Sequence, residues 1–445
     1  MHIHILGICG TFMGGVAQLA KAAGHTVTGC DAKVYPPMSD QLRSAGIALI
    51  EGFDAGQLSI KPDLWVIGNA ISRGNPLLEA ILNAGLPYTS GPQWLGETLL
   101  CGKHVLTVAG THGKTTTSSL LAWILDQAGL NPGFLIGGVP VNFEHSARLT
   151  DSRYFVIEGD EYDTCFFDKR SKFVHYRPKT AILNNLEYDH ADIFPNLQAI
   201  ETQFHHLVRT MAQNARLIVN ARSEALGRVL ERGLYSECEF FNSEKGWHLQ
   251  DGSLYQGSRC CGKLELPLLG EHNALNASAA VAAANHLGVD PHQALQALSR
   301  FAGVKRRMEL KGVARGVAVV DDFAHHPTAI AETIAAMRAK LAEGSRLIAV
   351  FEPRSNTMKL GTMKERLAES LSAADAVVCY AAPSLGWDAS EALRALGEKA
   401  QVCHSIEETV AAGVSRARAG DTILVMSNGG FGGIHEKLLK ALKEA

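Results

Sequence analysis

The chain has no Cys-x-x-Cys pair. Its nine cysteines, at positions 9, 30, 101, 165, 238, 260, 261, 379 and 403, are scattered and odd in number. That pattern argues against a disulfide frame and reads as reduced thiols in a cytoplasmic protein. No apolar run reaches the roughly 20 residues that span a bilayer, so no membrane association is expected. The first residues, Met1-His-Ile-His-Ile-Leu-Gly-Ile-Cys9, lack a basic region. They read as a strand entering a glycine-rich turn rather than as a leader. Neither sign of charge dominates: 42 Lys+Arg against 45 Asp+Glu leave a net charge of −3. A general nucleic-acid coat is therefore not expected, while local capture of small anions stays open. Tandem repeats and low-complexity tracts are missing as well.

What is present is α/β texture. With 445 residues, of which 46% are hydrophobic and 20% charged, the chain is globular and long enough for two or three domains. Three segments differ in character. Residues 1–98 open with strand His2–Leu6, a glycine-rich turn and a helix pattern to Ala23. Strand Thr26–Cys30 follows and ends at Asp31, and Leu64–Ile67 is a further strand of this doubly wound pattern. Residues 99–303 carry apolar strands at 104–109, 154–157 and 180–183, each ending in a polar cluster. Residues 235–268 read as short β-hairpins, and an Ala-rich helix is expected over 274–287 with Gly288 as its C-cap. Residues 304–445 alternate again, with strands at 317–320, 346–351, 376–379 and 422–426 separated by helical stretches.

The most informative stretch is Val108-Ala-Gly-Thr-His-Gly-Lys-Thr-Thr-Thr117, between a strand and a helix. Gly113, Lys114 and Thr115 match the end of GxxxxGK[ST]. Val108 occupies the first glycine position, and Gly110 lies inside the loop instead. Glycines let backbone N–H groups turn toward phosphate oxygens, and the following helix presents its positive end. Lys114 then reaches β/γ-phosphates and the Thr115 hydroxyl suits Mg2+. The alternative is a glycine-capped turn with an exposed lysine. Two other strands end in Glu158-Gly-Asp-Glu-Tyr-Asp163 and Asn184-Asn-Leu-Glu-Tyr-Asp-His-Ala-Asp192. Ligands collect at the carboxyl ends of strands in α/β sheets, so both clusters should flank the loop. Carboxylates there suit Mg2+, with a histidine as a further ligand.

These residues carry a resemblance. The ordered motifs Gly7-Ile-Cys-Gly-Thr-Phe-Met-Gly-Gly15, Gly110-Thr-His-Gly-Lys-Thr-Thr116, Glu158-Gly-Asp-Glu161, Asn185-Leu-Glu-Tyr-Asp-His190, Gly270-Glu-His-Asn-Ala-Leu-Asn276, Arg306-Arg-Met-Glu309 and Asp321-Asp-Phe-Ala-His-His-Pro327 resemble the Mur ligase family over essentially the whole chain. The resemblance implies three domains: an N-terminal Rossmann-like UDP-binding domain, a central P-loop ATPase domain and a C-terminal Rossmann-like domain. It implies that ATP activates a carboxylate as an acyl phosphate, which an amine then attacks. Two members of the family take UDP-N-acetylmuramate, one adding L-alanine and one adding L-alanyl-γ-D-glutamyl-meso-diaminopimelate. The stretches Phe351-Glu-Pro-Arg-Ser-Asn-Thr-Met358, Phe166–Tyr176 and Ser427-Asn-Gly-Gly-Phe-Gly-Gly-Ile434 look like the tripeptide-adding member.

Residue by residue, the resemblance implies an ATP site of Gly110, Thr111, His112, Gly113, Lys114, Thr115 and Thr116, with Asn273 and Asn276 on the adenine and ribose side. Arg307 and Asp322 match residues that close over the nucleotide. The pair Asn273 and Asn276 also reads as helix N-terminal caps. Thr115, Glu158 and His190 match the Mg2+ ligands, and Lys114, Glu158, His190 and His325 the catalytic set. His325 or His326 would accept the proton of the attacking ammonium. No lysine lies between Lys179 and Lys245, so the carbamylated lysine of several relatives is not expected.

The turn at Gly7, Gly10, Thr11, Met13 and Gly14 would cradle the UDP pyrophosphate. Asp31 would lie near the nucleoside, and Asn69, Ser72 and Asn75 near the sugar. Taken alone, that turn resembles a dinucleotide fingerprint with Cys9 in place of the second glycine. Arg354, with Ser355 and Asn356, is the candidate reader of a peptide carboxylate, the alternative being a solvated loop arginine. An oxidoreductase would have no use for the 110–116 loop. A nucleotide-sugar-sensing ATPase remains a rival class, and no obligate protein partner is expected.

Overall fold

The computed structural model describes residues 1–34 and 38–445. Three large sheets follow one another along the described residues, beside a two-stranded antiparallel ribbon of Asp163–Cys165 and Asp168–Ser171. The first is five-stranded and wholly parallel, in the order Ala48–Glu51, Thr26–Asp31, His2–Leu6, Leu64–Ile67, Tyr88–Ser90. The order reverses beside His2–Leu6, the strand that runs into the Gly7 turn. Such a reversal opens a crevice outside the strand ends.

The second sheet has ten strands, in the order Arg259–Lys263, Ser253–Gln256, Trp247–Gln250, Glu237–Phe241, Arg216–Asn220, Thr180–Leu183, His104–Ala109, Tyr154–Gly159, Gly133–Leu135, Ala147–Arg148. His104–Ala109 is therefore flanked on both sides by the strands that end in acidic clusters. All three run parallel, pairing Ala109 with Gly159 and with Leu183. The third sheet has six strands: Glu309–Ala314, Val317–Asp322, Thr422–Met426, Leu347–Phe351, Ala376–Tyr380, Ala400–Cys403. Only Glu309–Ala314 is antiparallel. It forms the edge, and its pairing skips Lys311, between Leu310 opposite Val320 and Gly312 opposite Val319.

Parallel strands covered on both faces read as unbroken apolar runs. Leu347–Phe351 and Thr422–Met426 are buried at every position. The helix Lys114–Gln127 likewise buries Leu120, Leu121, Ile124 and Leu125.

Two expectations change. The 235–268 segment is not all hairpin. Glu237–Phe241 is a parallel strand beside Arg216–Asn220, reached through helix Glu224–Glu231, and only Trp247–Lys263 forms an antiparallel meander. The Ala-rich helix begins at Glu271 rather than 274, directly after Gly270 at φ +93°. Asn273 and Asn276 thus lie within the helix. Gly288 follows its end at φ +85°.

By contacts the chain forms two compact units. One comprises Met1–Glu187, Gln198–Glu265 and Leu275–Ala302; the other comprises Tyr188–Leu197, Leu266–Ala274 and Gly303–Ala445. Among the described residues no helix is long and apolar enough to cross a membrane.

Leu121 is fully buried in the helix that follows the glycine loop. Leu121→Ala should cost about 2–5 kcal/mol through lost burial and a cavity. A lowered urea midpoint for the transition that reports on this unit checks it.

Candidate active site

Strand His104–Ala109 delivers the chain to Gly110, and helix Lys114–Gln127 leaves from Gly113. Gly113 has φ +78°, and a Cβ there would lie 2.6 Å from both Asn184 Nδ2 and Asn276 Oδ1. Only glycine fits that position. The helix has no side-chain cap and no acid in its first turn. Its leading N–H groups face the loop, which is the arrangement that receives phosphate.

Lys114 folds back over the loop. Its Nζ donates to the Gly110 carbonyl at 2.6 Å and to Glu161 Oε2 at 2.7 Å. Burial alone would lower the pKa of this ammonium. The carboxylates of Glu161, Asp160 and Glu158 outweigh burial and raise it, so the lysine is charged. Thr115 and Thr116 are buried at the start of the helix. Glu158 ends the adjacent strand and accepts the Gly137 N–H at 2.8 Å. Thr115 and Glu158 offer a hydroxyl and a carboxylate, the hard oxygen donors that suit Mg2+.

The other flanking strand is laced to the loop. Thr111 N–H donates to the Asn185 carbonyl at 3.2 Å, and His112 N–H to Asn185 Oδ1 at 2.8 Å. Asn184 Nδ2 donates to the His112 carbonyl at 3.2 Å and to Asn276 Oδ1 at 2.7 Å. The Thr111 hydroxyl accepts the Glu187 N–H at 2.9 Å. His112 Nε2 lies 3.7 Å from Glu187 Oε2. Asn276 is thus bound into the loop framework. Asn273 belongs to the second unit and donates to the Leu269 carbonyl at 2.6 Å.

The first sheet carries a second anion-receptive turn. Helix Thr11–Ala22 starts at Gly10 with no side-chain cap and no acid in its first turn. Gly7 turns the chain at φ +78°, and a Cβ on Gly14 would lie 2.4 Å from the Met38 sulfur. Met13 is buried, with its sulfur directed at Gly91. Asp31 fixes the turn by accepting the Cys9 N–H and the Ala32 N–H, both at 2.8 Å. Asn69 and Ser72 are exposed after strand Leu64–Ile67. The Asn75 side chain caps helix Pro76–Asn83 through Leu77 and Leu78 N–H.

The second unit holds the remaining candidates. Asp322 is buried and accepts Met308 and Ala324 N–H, each at 2.8 Å. Burial raises its pKa against the opposing charge of Arg307. Arg307 lies 5.0 Å over the Phe323 ring. His326 Nδ1 accepts the Thr328 N–H at 3.3 Å, capping helix Pro327–Lys340, so its proton is on Nε2, 3.3 Å from the Tyr188 carbonyl. Both nitrogens are thereby engaged in structure. His325 Nδ1 lies 3.1 Å from the Phe323 carbonyl.

His190 has φ +55° and its N–H is held by Asp189 Oδ1 at 2.7 Å. Burial pushes the Asp189 carboxyl up, but His190, His325 and the Thr357 hydroxyl prevail and hold it well below the usual carboxylate range. Arg354 is half exposed beside Glu352 and lies against the Gly429 backbone. The Ser355 hydroxyl caps helix Asn356–Lys359, and Asn356 Nδ2 donates to Asp192 Oδ2 at 2.7 Å.

Several residues of the site carried no role in the sequence reading. Glu161 partners Lys114, and Asn184 and Asn185 frame the loop; all three lie inside the acidic and amide clusters at the strand ends. Lys172 is buried, 2.6 Å from Asp160 Oδ2 and 5.3 Å over the Phe12 ring. Its signal was a lysine within the stretch Phe166–Tyr176. A cavity of about 550 Å³ in the second unit, lined by Ala381, Pro383, Leu385, Trp387, Asp388 and His404 among others, gave no local motif. Trp387 Nε1 donates to the Met358 carbonyl at 2.6 Å, tying the cavity wall to the helix after Arg354.

Comparison with known proteins adds three family matches: the Mur ligase family catalytic domain over residues 2–100, the Mur ligase middle domain over 108–284 and the Mur ligase glutamate ligase domain over 306–429. The chain is 53% identical to the UDP-N-acetylmuramate–L-alanyl-gamma-D-glutamyl-meso-2,6-diaminoheptandioate ligase of Escherichia coli (strain K12), over 99% of this chain and 98% of that one. It is 46% identical to the crystal structure of a murein peptide ligase from Psychrobacter arcticus 273-4, with a TM-score of 0.76 over 100% of this chain and 99% of that one. A UDP-N-acetylmuramate-alanine ligase from Thermotoga maritima shares the fold at a TM-score of 0.82 and 22% identity, over 100% of this chain and 99% of that one.

Burial, with a smaller push from Arg307, lowers the His272 pKa from 6.5 to about 4. The unfolded chain then binds more protons between these values, so stability rises with pH through that window. Denaturant midpoints at pH 5 and pH 7 should show lower stability at pH 5, and His272→Gln should reduce the difference.

Proposed function

Given that the chain belongs to the Mur ligase family, we propose that it joins L-alanyl-γ-D-glutamyl-meso-diaminopimelate to the lactyl carboxylate of UDP-N-acetylmuramate, with ATP split to ADP and phosphate. The observation that carries this reading is the charged Lys114 in its glycine loop, flanked by carboxylate-bearing strand ends, in a chain with full-length identity of 53% to the tripeptide ligase of E. coli. The proposed domains span 1–98 for the UDP-sugar, 99–303 for ATP and 304–445 for the peptide.

A carboxylate is a poor acyl donor until one of its oxygens becomes a good leaving group. In the proposed first step a lactyl carboxylate oxygen attacks the γ-phosphorus of ATP and ADP leaves, giving an acyl phosphate. In the second, the peptide amine attacks the acyl carbon, the C–O bond to phosphate breaks, and phosphate departs. The ammonium proton passes to His325. Little covalent chemistry falls to the protein, so positioning and charge neutralisation dominate. Gly110, Thr111, His112, Gly113 and Thr116 supply the phosphate cradle, and Lys114 supplies the positive charge. Asn273 and Asn276 are the proposed adenosine side, with Arg307 and Asp322 contributing to the nucleotide site.

Thr115, Glu158 and His190 are the residues that would hold Mg2+. When bound, Mg2+ would neutralise phosphate charge. Gly7, Gly10, Thr11, Met13 and Gly14 form the proposed pyrophosphate turn, held by Asp31, with Asn69, Ser72 and Asn75 toward the sugar. Arg354 is the proposed reader of a peptide carboxylate, and Ser355 and Asn356 hold its loop.

The deciding experiment supplies ATP, Mg2+ and UDP-N-acetylmuramate with either the tripeptide or L-alanine, and identifies the product by mass. We expect the tripeptide adduct, with one ADP per product. An alanine adduct alone, or ADP release that ignores the sugar, would overturn the reading. Lys114→Ala should lower kcat by about a hundred- to thousandfold. Arg354→Ala should raise the peptide KM while the ATP KM stays near its original value; steady-state kinetics with each substrate varied checks this.

A further inference from the structure

The segment Tyr188–Leu197 follows directly on the amide cluster that frames the glycine loop, yet its contacts place it in the second unit. There it meets the helix that starts just after Arg354. The Thr357 hydroxyl donates to Asp189 Oδ1 at 2.7 Å and accepts the Ala191 N–H at 3.2 Å. One hydroxyl therefore brackets His190, bonding the residue before it and the residue after it. Asn356 adds a third tie through Asp192. Both Thr357 and Asp189 are buried, at 2% and 5% exposure, so neither bond is shared freely with water.

His190 itself needs this support. It holds a left-handed backbone at φ +55°, a conformation that a residue with a side chain keeps only where its surroundings over-determine it. Other restraints include local bonds and the contact of His326 Nε2 with the Tyr188 carbonyl. The His190 carbonyl accepts Ile193 and Phe194 N–H, both at 2.9 Å, and the Tyr188 hydroxyl donates to the Phe194 carbonyl at 2.9 Å. Those bonds fix the turn's shape. The bonds from Thr357 and Asn356 fasten it to the helix Asn356–Lys359.

We propose that Thr357 is the positioning residue for His190: its hydroxyl locks the left-handed turn that aims the imidazole, and it does so from the helix that carries the peptide-reading loop. The proposal rests on the reading of His190 as a metal ligand given above. Partners one shell out from a ligand orient it, and losing one weakens metal binding by about 10- to 100-fold. Valine matches threonine in shape but provides neither the donor for Asp189 nor the acceptor for Ala191. Serine provides both.

The test is Mn2+ binding to the full-length, ADP-bound protein, read by electron paramagnetic resonance. Thr357→Val should weaken one class of Mn2+ sites about tenfold, as His190→Ala should, while Thr357→Ser stays within about twofold of the parent. UDP-N-acetylmuramate affinity should not move in any of the three. If His190→Ala weakens Mn2+ and Thr357→Val does not, the positioning role is wrong and the ligand reading stands. If His190→Ala leaves Mn2+ binding intact, the ligand reading fails and the proposal falls with it. Should Thr357→Val not fold, Asn356→Ala decides. Its bond to Asp192 is solvent-exposed, and its loss should weaken the same sites two- to threefold; unchanged binding overturns the proposal.

Discussion

A lysine ammonium shut away from water must keep a counter-charge within reach, and the loop around Lys114 is built on that requirement. Glu161 supplies the contact, with Asp160 and Glu158 further along the same segment. Because the strand that ends in these acids lies in register beside His104–Ala109, neutralisation costs no extra structure. A phosphate chain entering the loop would compete with Glu161 for the same ammonium. In the proposed reaction that exchange makes the lysine available only where a stronger anion is present.

The rest of the first unit repeats one device at two scales. Each of its two large sheets sends a parallel strand into a glycine turn, and each turn opens an uncapped helix whose first turn holds no acid. Side chains shape these turns without filling them. Asp31 holds the backbone at Cys9, and Asn184 and Asn185 hold the backbone at 111–112. Lys172 joins the two regions, contacting Asp160 on one side and the Phe12 ring on the other.

Much of this was legible in the residues. Strands such as His104–Ala109 and Thr180–Leu183 announce themselves as apolar runs that stop at polar clusters, and the glycines of the loop mark the turn between strand and helix. Asn273 and Asn276 were harder: an Ala-rich stretch gives no sharp start, so the helix begins earlier than the periodicity suggested. Glu237–Phe241 was misread because a short, partly exposed strand looks the same whether its neighbour runs parallel or antiparallel. The pairings of Glu161 with Lys114 and of Thr357 with Asp189 join residues far apart in sequence, and no local pattern encodes such contacts. For His325 and His326 the motif was visible but the division of labour was not. The structure adds that the second imidazole caps helix Pro327–Lys340.

The outer rim of the third sheet has a consequence of its own. Glu309–Ala314 leaves Leu310 and Val313 largely exposed, at 60% and 58%, on a free edge. Left regular, such a border would template strand addition from a neighbouring molecule. The slip in pairing at Lys311 breaks the hydrogen-bond spacing midway, and charged Glu309 and Lys311 flank the exposed leucine. The molecule can thus carry greasy side chains on its perimeter and still resist zippering onto its own copies in a crowded solution.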